Sequence, residues 1–190
     1  GTLSKISGGK FANGAAGTAF GMMVQVVAFG LGKEKVGQSG GPGGKDKVNK
    51  KLSPKISIGK DGTITTEKIT ITADGVDKRT AQAYIGSAEE TWSAISLDLE
   101  LVGSGGDLIL MPCTIECTTF NIEGPIGAAQ VGGTEIYQGK GQRPTTPGHE
   151  LGHILGLAEG GRPGGIMAPA YIGTPKVNQS DLNRIRALYE

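Results

Sequence analysis

Residues 146–159 read Thr-Pro-Gly-His-Glu-Leu-Gly-His-Ile-Leu-Gly-Leu-Ala-Glu, and the rest of the chain is read outward from them. His149, Glu150 and His153 make an H-E-x-x-H motif. Residues four apart in an α-helix stand about 40° apart around the axis and one turn apart along it. Two imidazoles on one face can then share a metal ion, and Glu150 can lean over a water on that ion and take its proton. Thr146 is the expected N-cap, and Pro147 suits the first helical position. The bland alternative is a surface helix with two satisfied histidines, and three features oppose it. These are the only two histidines of the chain. The motif extends to Gly156 and Glu159. Gly156 also has a mechanical purpose. On an unbroken helix Glu159 would sit about 80° from His149 and about 15 Å further along the axis. A break at Gly156, where positive φ is easily adopted, turns the chain back and presents Glu159 as a third ligand. Asp181 is the alternative carboxylate for that place.

Upstream, Ile56 and Ile58 lead into the turn Gly59-Lys60-Asp61-Gly62, followed by Thr63-Ile64-Thr65. Ile69-Thr70-Ile71-Thr72 alternates like a half-buried strand. Asp74 or Asp77 caps a predicted helix running to about Ala94, with Ala81, Ile85, Ala88, Trp92 and Ile95 on one face. Further strands are predicted at Leu97–Leu101, Leu108–Met111, Phe120–Ile122 and Glu135–Tyr137. The order of strand, helix, several strands and closing helices implies an α+β or mixed α/β fold.

Composition limits the remaining classes. The 190 residues suit one domain with an appendage. Glycine supplies 34 of them without a G-x-y period, which excludes a collagen-like chain. Charged residues are 19% and net charge is +1, which argues against a charge-driven nucleic-acid binder and a highly charged disordered chain. Two cysteines do not make a disulfide scaffold. Cys113 and Cys117 would stand more than about 12 Å apart in an extended strand, so free or packed thiols are the default. A tight turn at 114–116 would allow a disulfide.

Residues 1–50 read as a Gly- and Lys-rich leader and linker, and residues 51–190 as the globular domain. Residues 1–60 hold ten lysines against Glu34 and Asp46, a balance of +8 that leaves −7 for the remainder. A solvated linker is the plainer reading of that charge; contact with nucleic acid, a membrane surface or an acidic partner is the sharper one. Residues 15–32 are the only long apolar stretch, read as a segment packed against another part of a larger protein, with membrane contact as the alternative. The chain opens on Gly rather than Met and is expected to be a fragment, its localisation set upstream.

The motif resembles the signature of the metzincin zinc peptidases, H-E-x-x-H-x-x-G-x-x-(H/D) followed by a Met-turn. Here it is HELGHILGLAE, then Gly165-Ile166-Met167-Ala168-Pro169-Ala170-Tyr171. Met167 follows Glu159 by eight residues, an interval similar to the matrixin branch. Met-x-Pro-x-Tyr resembles that branch's Met-turn and pocket wall, and residues 179–189 resemble its closing helix. The resemblance is specific over residues 146–190; from about 56 to 145 it is only an order of elements. It implies a mixed sheet with a backing helix, an active-site helix, a Met-turn and a C-terminal helix. It also implies one catalytic Zn²⁺ on His149, His153 and Glu159, with Glu150 as general base in hydrolysis of a protein or peptide substrate. Met167 would floor the site, and Pro169 and Tyr171 would wall the substrate pocket. Glu159 departs from the usual His or Asp, and leaves the ion a formal +1. Arg162, in the loop before Met167, could hold a substrate carboxylate, although such arginines are more often solvated. The cysteine-switch propeptide and a structural-zinc histidine set are not found.

Residues 4–15, Ser-Lys-Ile-Ser-Gly-Gly-Lys-Phe-Ala-Asn-Gly-Ala, resemble the segment between an Rhs-type shell and the toxin of bacterial polymorphic toxins. That resemblance implies a toxin secreted or delivered into a target cell, whether to periplasm or cytoplasm, by a contact-dependent or type VI route. Its partners would be the parent shell and a cognate immunity protein. A housekeeping or self-processing zinc peptidase, and a silent zinc-stabilised binding module, are the competing readings.

Overall fold

Strands β1 (Ile56–Ile58) and β2 (Ile64–Thr66) form an antiparallel hairpin. Its turn is fixed by Asp61, whose carboxylate accepts from the Thr63 N–H at 3.0 Å. The computed structural model describes residues 44–113, 127–139, 143–160, 162–168 and 175–190. All of them lie in the unit Gly37–Glu190. The apolar stretch 15–32, the leader motif at 4–15 and the strand predicted at 120–122 lie outside the described residues. Among the described residues no helix is long and apolar enough to cross a membrane.

The alternation at Ile69–Thr72 becomes β3 (Ile69–Ala73), with Ile69 and Ile71 buried. Asp77 then caps α1 (Lys78–Thr91), its carboxylate accepting from the Thr80 N–H at 3.0 Å. The buried face of α1 is Ala81, Tyr84, Ile85 and Ala88, continued by Trp92 just past its end. This is the apolar face predicted from the spacing, with Tyr84 added. Strands β4 (Leu99–Val102) and β5 (Leu108–Pro112) both run parallel to β3, on either side of it. Strand β6 (Gly127–Ala129) returns antiparallel to β7 (Glu135–Gln138), and β7 is parallel to β5. Among the described residues the sheet order is β4-β3-β5-β7-β6, which puts β6 at one edge. Nothing in Gly127-Ala128-Ala129 favours a strand intrinsically, since β-branched and aromatic residues are lacking. Pairing with Ile136, Tyr137 and Gln138 makes it one.

Two further helices are among the described residues, α2 (Thr146–Ile154) and α3 (Gln179–Tyr189). A capping box starts α3: the Asn178 side chain accepts from the Asp181 N–H, and the Asp181 carboxylate accepts from the Asn178 N–H. The architecture is mixed α/β, consistent with a metzincin-like fold.

Two expectations change. Cys113, at the end of β5, is disulfide-bonded rather than a free thiol, and the chain's other cysteine, Cys117, lies outside the described residues. Composition starts the globular part near Lys51, but residues 46–49 already bond to it. The Asn49 side-chain amide donates to the carbonyls of Gly133 and Ile154, at 2.7 and 2.9 Å. A short run of Lys, Asp and Asn gives no apolar signal for such docking.

Candidate metal centre

Helix α2 begins one residue earlier than the sequence suggests. Thr145, not Thr146, is the N-cap, and its side chain makes no capping bond. Contacts from α1 hold this end. Trp92 Nε1 donates to the Gly148 carbonyl at 2.7 Å, and Ser87 Oγ donates to the Pro144 carbonyl at 2.6 Å. The whole of α2 is buried, so tertiary packing does what a cap would do for an exposed helix.

The far end breaks where the glycine predicts. Gly156 has φ +98°, its N–H bonds to the His153 carbonyl at 2.9 Å, and the Leu157 N–H bonds to the Gly152 carbonyl at 2.9 Å. These two bonds are a Schellman motif, which satisfies late carbonyls of a helix and reverses the chain. Glu159 returns to the histidines as a result. Its Oε1 lies 3.0 Å from His149 Nε2 and 3.6 Å from His153 Nε2.

His149, His153 and Glu159 offer ligand atoms that all lie within 4.8 Å of one another. The two imidazoles meet edge to face, with centroids 4.7 Å apart. His149 Nδ1 bonds to the Ile166 carbonyl at 2.7 Å, and His153 Nδ1 to the Leu157 carbonyl at 2.8 Å. A carbonyl can only accept, so each Nδ1 carries the proton and Nε2 is the ligating atom. Glu159 Oε2 is buried with no hydrogen-bond partner. A buried, half-satisfied carboxylate beside two oriented imidazoles fits a cation, and His₂Glu is a zinc donor set. Asp181 does not stand in this group. Its carboxylate is fully buried and accepts from the Ile166 N–H at 3.2 Å and the Asn178 N–H at 3.1 Å. It ties α3 to the segment before Met167 instead of ligating.

Charge is shared unequally among these groups. Burial pulls His149 down, but the Glu159 hydrogen bond, the charges of Glu150 and Glu159 and the Ile166 carbonyl carry it up to about 9. Burial pushes Glu159 up, and its bonds to both histidines more than reverse that. Glu150 is 5% exposed, and burial pushes its carboxyl above the ordinary range against the pull of the two histidines. The backbone of Ala129, in β6, adds a smaller pull in the same direction as the histidines.

Met167 is fully buried and packs against Gly152 of α2. Pro169 and Tyr171 lie outside the described residues, and Arg162 is exposed. Sequence reasoning missed the role of Ser87, the hydrogen-bonding role of Trp92, and the strap at 46–49. Only Trp92 had a signal, its place on the apolar face of α1.

No curated protein matches the chain. The matrixin family model matches residues 136–190, from β7 through α2 to the end of α3. The segment that carries the site is therefore similar to the matrixins, a zinc-dependent family, and in it His149, His153 and Glu159 lie close enough together to form a metal site.

Proposed function

We propose that the domain is a zinc endopeptidase in which Glu150 is the general base. The observation that carries this reading is the position of Glu150. It is a buried carboxylate on the same helix as the two imidazoles and outside the ligand group. A purely structural zinc site has no use for a base there. His149, His153 and Glu159 would hold the zinc, which would supply Lewis acidity for activating a water near neutral pH and polarising the scissile carbonyl.

The chain's own groups do the remaining work. Glu150 takes a proton from the attacking water and delivers it to the leaving amine as the C–N bond breaks. Burial raises its pKa towards the operating pH, which suits a group that must both accept and return a proton. Strand β6 offers its backbone to an extended peptide, in the manner of strand addition at a sheet edge. Ala129 of β6 is near enough to act on the Glu150 carboxyl, so a peptide laid along β6 passes beside the base. Met167 floors the site without ligating. The Met-x-Pro-x-Tyr pattern supports a substrate-pocket role for Pro169 and Tyr171.

We further propose that the peptidase is the toxin domain of a secreted bacterial effector, with a cognate immunity protein as partner. The resemblance of residues 4–15 to the segment preceding Rhs-linked toxins supports this. The test is expression in bacteria of wild type and Glu150→Ala, each directed to cytoplasm or periplasm, with zinc assayed on both purified proteins. Killing by wild type in one compartment, with a zinc-loaded and harmless variant, is the expected result. Equal killing by both removes hydrolysis from the toxic action. Harmless expression everywhere leaves the housekeeping peptidase.

A further inference from the structure

Helix α2 ends before it reaches its third ligand, and elements distant in sequence hold the turn beyond it. The Gly132 N–H bonds to the His153 carbonyl at 2.8 Å. The Asn49 amide bonds to the Ile154 carbonyl at 2.9 Å, and the Tyr189 hydroxyl to the Leu155 carbonyl at 3.1 Å. The Lys47 N–H bonds to the Gly156 carbonyl at 2.8 Å. A Cβ on Gly156 would lie 2.4 Å from the Lys47 carbonyl oxygen, so the strap at 46–49 packs directly on the turn.

The strap then reaches the residue before the ligand. Asp46 Oδ1 accepts from the Ala158 N–H at 2.9 Å. Arg184 of α3 donates to the Ala158 carbonyl at 2.7 Å. Arg184 and Asp46 also bind each other through two bonds, Nε to Oδ2 at 2.8 Å and Nη2 to Oδ1. Both backbone groups of Ala158 are thus taken by one bidentate ion pair. On the other side of Glu159, the Gly160 N–H bonds to the Met167 carbonyl at 2.7 Å.

We propose that Asp46, with Arg184, is a positioning residue for Glu159: the pair fixes the Ala158 peptide groups and so aims the carboxylate at the two imidazoles. Glu159 stands beyond the helix, on a turn, where no helical hydrogen bonds fix its backbone. That backbone has to be held from outside, and the Asp46–Arg184 pair does this. Residues joined to a metal only through its ligands typically alter metal affinity by about 10- to 100-fold when removed. The inference rests on the zinc reading of the site.

The test is the rate at which the full chain surrenders zinc to a chromophoric chelator, with the visible spectrum of the Co²⁺-substituted protein as a second readout. Asp46→Leu is expected to release zinc about ten-fold faster or more and to alter the Co²⁺ spectrum. Asp46→Asn keeps an acceptor for the Ala158 N–H and is expected to show a smaller change. It carries the measurement if the leucine variant fails to fold. In a Glu159→Gln background Asp46→Leu should add little, because two residues acting through one contact are not additive. Asp107→Asn, which breaks a separate ion pair at the start of β5, should leave release unchanged. Unchanged release and spectrum in the Asp46 variants, or full additivity with Glu159→Gln, overturns the positioning role while zinc binding by wild type stands. Wild type that holds no zinc overturns both readings.

Discussion

Met167 lies directly under Gly152: a Cβ built on Gly152 would stand 2.3 Å from the methionine sulfur. Gly152 is the residue just before the second histidine, so this contact packs Met167 against the helix that carries both imidazoles. A methyl group there must push Met167 or α2 aside. Gly152→Ala is expected to cost about 1–3 kcal/mol, as overpacking of a dense core does, and to weaken zinc retention. Thermal unfolding with and without added zinc checks both effects.

Glu150 is buried in α2 and makes no part of the ligand group. Glu150→Gln should therefore keep one zinc per chain. It should lose peptide hydrolysis by about 10²- to 10⁴-fold, the range for removing a general base. Metal analysis and a fluorogenic peptide assay on the same preparation separate the two properties.

Local chemistry decides how much of the fold and site is legible in the sequence. The His149–His153 spacing, the break at Gly156 and the apolar face of α1 each follow from residue type at a fixed period, so all three were legible. The return of Glu159, rather than Asp181, followed from the same break. The edge strand Gly127–Ala129 was not legible, because its strand state comes from β7 and not from its own residues. The strap was hidden for a different reason. Asp46 and Asn49 are polar residues in a Gly- and Lys-rich stretch, and their partners Ala158, Ile154 and Arg184 lie more than a hundred residues away. Hydrogen bonds of that separation leave no periodic trace.

Trp92 is fully buried and its indole N–H donates to the Gly148 carbonyl beside the first histidine. Trp92→Phe keeps most of the apolar burial and leaves that buried carbonyl without its donor. A loss of about 1–3 kcal/mol is expected, read as a lower denaturant midpoint with little change in slope.

Asp107 sets an acid limit on stability. Burial acts to raise its carboxyl, but Lys55 and the Thr70 N–H and hydroxyl bind the charged form and hold it at about 2. A pKa depressed on folding stabilises in full above the unfolded value, near pH 4, and the contribution fades as pH falls through about 2. Urea unfolding of wild type and Asp107→Asn between these limits should show the difference between them narrowing as pH falls. A difference that stays constant would show that the Asp107 charge is not involved.

The most direct measurement is zinc stoichiometry paired with peptide cleavage on one sample of the purified chain. One zinc per chain is expected, with cleavage of an unstructured protein substrate that stops on chelation and returns with added zinc. His149→Ala and Glu159→Ala should lower both occupancy and cleavage. A chain that binds no zinc, or that cleaves equally well after chelation, would contradict the assignment of His149, His153 and Glu159 as the catalytic metal site.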